Sequence, residues 1–108
     1  MNWPIMIRRV QGHSMVPVLP PGTLVFAWRW FSNLKPDSVI IFTRQNRETI
    51  KRLDKVDESG LFVLGDHPET STDSRQYGSI PRELVEGVVF WPKTHKVLAE
   101  EPGMSKNP

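Results

Sequence analysis

Ten prolines and seven glycines punctuate the 108-residue chain, which disfavours long helices. Between these breaks lie short runs rich in β-branched and aromatic residues. Ile5–Val10, Thr23–Trp30, Ser38–Thr43, Glu48–Leu53, Leu61–Leu64 and Gly87–Trp91 read as six strands. Helix fits only Met15–Leu19, held to about one turn by Pro17, and Pro81–Val85, where proline suits a first turn. The pattern predicts an all-β fold, a compact and partly barrel-like domain of short strands with one or two helical turns. One domain over residues 1–99 accounts for the length, and the polar segment 100–108 is expected to fray.

Composition narrows the chemistry. There is no cysteine, which excludes a disulfide framework, a zinc-thiolate site and a cysteine nucleophile. Fourteen Lys+Arg stand against twelve Asp+Glu, and only Arg8-Arg9 and Lys51-Arg52 are adjacent. So small and scattered an excess of positive charge argues against a nucleic-acid partner. No apolar stretch approaches the roughly 20 residues of a spanning helix. The first residues lack the basic head and apolar run of a signal peptide. A cytoplasmic location is therefore the expectation, with a peripheral membrane location as its alternative.

The alternative comes from one strand. Alternation puts Leu24, Phe26, Trp28 and Trp30 on one face, and Val25, Ala27, Arg29 and Phe31 on the other. With both faces largely apolar, the strand is either buried on both sides or turns one side to an apolar partner, such as a membrane surface.

Three segments could carry chemistry. In Gly12-His13-Ser14-Met15-Val16-Pro17-Val18-Leu19-Pro20-Pro21-Gly22, a serine follows a strand and precedes a proline-rich turn. Such a serine can be exposed with its own N–H free to stabilise an oxyanion, although turn chemistry alone explains many such serines. A serine nucleophile needs a base. Among the histidines, His13 points away from its neighbour on an extended chain, His67 lies in a turn, and His95 lies near the C-terminal tail. Lysine is the other possible base, provided that burial lowers its pKa and keeps it neutral. Lys51 lies inside an apparent strand, facing opposite to Ile50 and Arg52. It is either such a base or a lysine on a wet strand face. The third segment, Gly65 to Gly78, is dense in hydroxyls and turn formers. There Asp73 and Arg75 could pair, and Ser71 could orient an amine.

Taken together, Gly-x-Ser-Met-x-Pro-x-Leu-x-Pro-Gly, Lys-Arg in a strand, and Gly-Asp-x-x-x-x-Ser-x-Asp-Ser-Arg-x-x-Gly resemble the S26 signal peptidases in order and spacing. The resemblance runs from Gly12 to Trp91. It implies a Ser/Lys serine endopeptidase that removes an N-terminal leader from a precursor bound in extended form. It assigns Ser14 as nucleophile, Lys51 as general base, and Ser71 as the residue that positions the lysine amine. Asp73 and Arg75 match the pair that braces the site, Gly65, Asp66 and Ser74 belong to the same box, and the Ser14 N–H forms part of the oxyanion hole. Neither metal nor cofactor is implied. Gly12 stands where many bacterial members carry a second, serine donor, and His67 replaces an asparagine. The short chain and its closing Gly-Val-Val-Phe-Trp-Pro are similar to the branch that matures nickel-type superoxide dismutase. Processing of secreted precursors at a membrane surface and a catalytically idle peptide-binding β module are the alternatives.

Overall fold

The computed structural model describes residues 3–95, so the expected frayed tail at 100–108 and the end of the 1–99 domain lie outside the described residues. Six strands form: β1 (Ile5–Arg9), β2 (Leu24–Trp28), β3 (Val39–Arg44), β4 (Arg47–Asp57), β5 (Gly60–Leu64) and β6 (Val85–Trp91). All pairings are antiparallel, in the order β1-β2-β6-β3-β4-β5. The fold is all-β. The sheet stays open rather than closing into a barrel, but it curls far enough for Arg8 of β1 to reach Glu48 of β4 at 2.5 Å.

The curl divides the core in two. One cluster gathers Met6, Val10, Met15, Leu19, Val25, Ala27, Val39, Ile41 and Val89. The other gathers Ile40, Phe42, Leu53, Leu61, Val63, Ile80 and Val85, with Tyr77 packed against it. Both clusters draw on β3, whose residues Val39 to Phe42 are fully buried, as a strand covered on both faces must be.

β3 and β4 are joined by Gln45 and Asn46 at φ 52° and 64°, the two positive angles that a tight hairpin turn of the right twist requires. β4 is longer than its apolar run. A register shift between Leu53 and Lys55 carries it on through the exposed Asp54–Asp57, paired with β5. Gly60, at φ 125°, ends this hairpin, and a side chain there would strike the Ile80 carbonyl.

Helical structure is slight. Met15 to Leu19 makes a single turn, in which the Leu19 N–H donates to the Met15 carbonyl at 2.8 Å. Arg82–Leu84 forms a short 3-10 turn within the expected Pro81–Val85. Two more turns fall in the third segment, a 3-10 turn at Pro68–Thr70 and α1 at Ser74–Tyr77. α1 begins with a capping box, in which the Asp73 carboxylate accepts from the Arg75 N–H and the Gln76 side chain accepts from the Asp73 N–H.

Candidate active site

The apolar residues flanking Ser14 fix its place. Met15 and Leu19 are 1% and 0% exposed, so the turn that follows the serine is anchored in the core while Ser14 stays half-buried. Gly12, at φ 78°, bends the chain just before it. From the opposite side, the His67 N–H donates to the Ser14 carbonyl at 2.8 Å. The backbone of Gly65–Gly78 thus holds the serine, while the His67 ring lies against the Thr70 hydroxyl, 3.0 Å from Nδ1.

Lys51 is not on a wet face. It is 6% exposed, and its Nζ donates to Ser14 Oγ at 2.9 Å. β4 pairs it with Ile40, a fully buried residue of the second cluster. Burial pushes the Lys51 amine below its ordinary value. The Asp73 charge opposes this and the Arg75 charge adds to it. Once the amine is neutral, the same separation lets the Ser14 hydroxyl donate to Nζ, the first step of general-base activation.

Asp73 is the acceptor around which the third segment folds. It is fully buried and accepts from Ser71 Oγ at 2.6 Å, from the Gly65 N–H at 2.8 Å, and from Arg75 Nε and Nη2 at 3.0 and 2.6 Å. Burial pushes the Asp73 carboxyl up, but these donors, Arg75 foremost, outweigh it and hold the group well below the usual carboxylate range. Arg75 in turn rises, chiefly through its hydrogen bond to Asp73. The hydrogen bond of Ser71 therefore goes to Asp73, and that of Lys51 goes to Ser14. A hydroxyl that donates to Asp73 keeps lone pairs with which to accept from another group.

Gly65 explains why these pieces can sit so close. A Cβ at this position would collide with Ser71 Oγ and lie 2.6 Å from Ser71 Cβ and 2.7 Å from the Ser14 carbonyl. Gly65→Ala should displace Ser14 and Ser71 together. It should cost about 1–3 kcal/mol in denaturant melts, with a larger proportional loss in any Ser14-dependent reaction. Unchanged stability would show that the loop has slack.

For an oxyanion, Ser14 offers its own N–H, which donates no hydrogen bond among the described residues. Position 12 offers no side-chain donor, and the space around Gly12 is open.

Two pairings that support the site were less visible in the sequence than the residues that make them. Arg52, beside Lys51, forms a buried fork with Asp66: Nε to Oδ1 and Nη2 to Oδ2, both at 2.8 Å, with each side chain 4% exposed. Arg52 also donates to the Asp37 and Thr94 carbonyls, tying β4 to the segments before β3 and after β6. Ser74 Oγ accepts from the Val63 N–H and docks α1 on β5. The signals were the adjacency of Lys51 and Arg52 and the acid one place after Gly65, but a pairing between distant segments has no local spacing rule.

A cleft of about 740 Å³ runs from Ser14 and Lys51 to the β3–β4 turn, lined by residues of β1, of the Gly12–Met15 segment and of α1. The apolar face of β2 lies elsewhere and points outward. Leu24, Trp28 and Trp30 are exposed and Phe26 is half-buried, while Val25 and Ala27 face the core. Ile5 and Ile7 stand opposite Trp28 and Phe26, and Trp91 packs edge-on against Phe26 with ring centroids 5.7 Å apart. No helix of the described residues is long and apolar enough to cross a membrane.

Residues 42–93 match the family model described as signal peptidase, peptidase S26. That span holds Lys51, Ser71, Asp73 and Arg75 and begins after Ser14. The chain is 33% identical over 109 aligned positions to the mitochondrial ATP-independent inner membrane protease subunit 1b of Arabidopsis thaliana. The alignment covers 74% of this chain and 64% of that protein.

Proposed function

On the premise that the chain is an S26-type peptidase, which both matches support, we propose that it is a serine endopeptidase with Ser14 as nucleophile and Lys51 as base. The observation that carries this reading is the buried Lys51 Nζ, 2.9 Å from Ser14 Oγ. Neutral Lys51 takes the Ser14 proton as Oγ attacks the scissile carbonyl, and the Ser14 N–H faces the developing oxyanion. The protonated lysine then gives its proton to the leaving amine. Neutral again, it draws a proton from the water that hydrolyses the ester. Asp73, Arg75 and Ser71 hold this geometry without touching the reacting atoms.

The substrate is an extended precursor, and the product is that precursor without its N-terminal leader. Processing at a membrane surface has more support than maturation of a soluble nickel superoxide dismutase. The relative is named as an inner membrane protease subunit, and the outward face built on Leu24, Phe26, Trp28 and Trp30 would suit the lipid interface, where tryptophan is favoured. Neither match bears on the nickel enzyme.

The test is mass spectrometry of two precursors incubated with the protein, a secretory precursor with phospholipid vesicles and a nickel superoxide dismutase precursor without them. The expected result is a single cut near the end of the secretory leader, lost in Ser14→Ala. A single cut in the nickel enzyme precursor alone would reverse the choice of substrate. A cut retained by Ser14→Ala would end the serine mechanism.

A further inference from the structure

The cleft is strongly one-signed. Arg8, Arg9, Arg44 and Arg47 line it, against a single carboxylate, Glu48, which Arg8 already engages. Arg9 turns back to the Gly22 carbonyl. Among the described residues, neither Arg44 nor Arg47 has a carboxylate partner.

These two arginines are cross-strand partners at the end of the β3–β4 hairpin. Like charges directly opposite each other on a sheet repel, so the pairing costs stability unless an anion lies between them. Arg44 is also held in place. Its guanidinium carbon sits 3.6 Å over the centre of the half-buried Tyr77 ring. Stacking uses the flat face of the guanidinium and leaves its N–H edges free, the geometry that receives a carboxylate. Tyr77 belongs to α1, the same turn whose cap is Asp73, so this arginine is referenced to the frame that holds the serine and lysine.

Alternation along β4 puts Arg47, Thr49 and Lys51 on one face. Arg47 is four residues from Lys51, about 13 Å along an extended strand. A bound extended peptide covers the same distance in about four residues. We propose that the Arg44–Arg47 pair reads an acidic side chain of the substrate, about four residues from the scissile bond. The proposal rests on the peptidase reading for its reaction but not for its recognition.

The experiment uses dye-labelled twelve-residue Ala/Ser peptides, with Asp, Asn or Lys stepped through every position. Binding is measured to Ser14→Ala and to Ser14→Ala carrying Arg44→Gln, Arg47→Gln or both, and kcat/KM is measured with the unmodified protein. Arg47 is exposed, so its variant keeps the test sound if loss of the Arg44 stack perturbs folding. At one position the Asp peptide should bind about tenfold tighter than the Lys peptide at low salt, and the gap should shrink to under twofold in the double variant. Equal affinities, no measurable binding by any peptide, or a preference that survives in the variants would overturn the proposal. A preference lost in the variants, with no cleavage by the unmodified protein, would uphold it and overturn the peptidase reading instead.

Discussion

Lys51→Met lowers cleavage by about 10²–10⁴-fold or more, the range that a general base supplies, and yields a protein more stable than the parent at neutral pH. Both effects come from one cause. Lys51 is 6% exposed, and burial lowers its pKa from 10.5. The unfolded chain holds its lysine proton up to about pH 10.4, whereas the folded chain releases it earlier. Between those two values the unfolded state binds more protons, so stability rises with pH across that window. Below it, folding must bury a charged amine. Methionine fills a similar volume and has no charge to bury. The stability of the unmodified protein should therefore climb towards pH 10, and that of Lys51→Met should not share this climb. Cleavage should follow the same ionisation, rising with pH and levelling off below the ordinary lysine value. Urea melts and initial rates across pH 6–10 check both halves. A stability gap that ignores pH would mean that Lys51 is charged at every pH measured.

Asp66→Ala destabilises by about 3–5 kcal/mol, because it leaves the Arg52 guanidinium buried without its carboxylate. For a chain of this size that is a large share of a total of about 5–15 kcal/mol, and it moves Tm by about 15 °C or more. The Arg8–Glu48 pair makes the contrast. Its side chains are 36% and 33% exposed, and removing Glu48 should cost under about 1 kcal/mol. Replacing Arg52 and Asp66 together with Met and Leu should recover part of the loss, since apolar packing often serves as well as a buried pair. Thermal melts of the three variants beside the parent provide the measurement. An Asp66→Ala loss no larger than the Glu48→Ala loss would show that water reaches Arg52.

Six strands were legible because each apolar run is bounded by glycine, proline or turn residues, and every one of them forms. The ends were less legible. β4 continues through Asp54–Asp57, where charged side chains break the apolar pattern and hairpin pairing with β5 alone sustains the strand. α1 is hard to tell from a loop in the sequence, although Asp73 and Gln76 carry a capping-box spacing, because one helical turn has no apolar periodicity to show. Closure of the sheet is a matter of long-range curl, and the spacing of short strands does not distinguish a barrel from a sheet that stops open.

The site divides in the same way. The family resemblance of the three segments pointed to Ser14, Lys51, Ser71, Asp73 and Arg75, and the fold brings Ser14 to Lys51 and Ser71 and Arg75 to Asp73. What the residues alone left open was whether Lys51 was wet or dry. That is decided by Ile40 across the ladder and by the second core cluster, neither of them near Lys51 in sequence. The Arg44–Tyr77 stack and the Arg52–Asp66 fork were hidden for the same reason, since each joins segments that only the folded chain brings together.

Nucleophilic attack by Ser14 is tested most directly by trapping its ester. An ester-linked leader peptide acylates a serine faster than an amide does, so the intermediate accumulates when turnover is quenched in acid. Intact-mass and peptide-mapping measurements should find the leader's acyl group on the peptide that contains Ser14. It should be absent from Ser14→Ala and formed far more slowly by Lys51→Met. Turnover with no adduct on Ser14, or an adduct at another residue, would contradict the account.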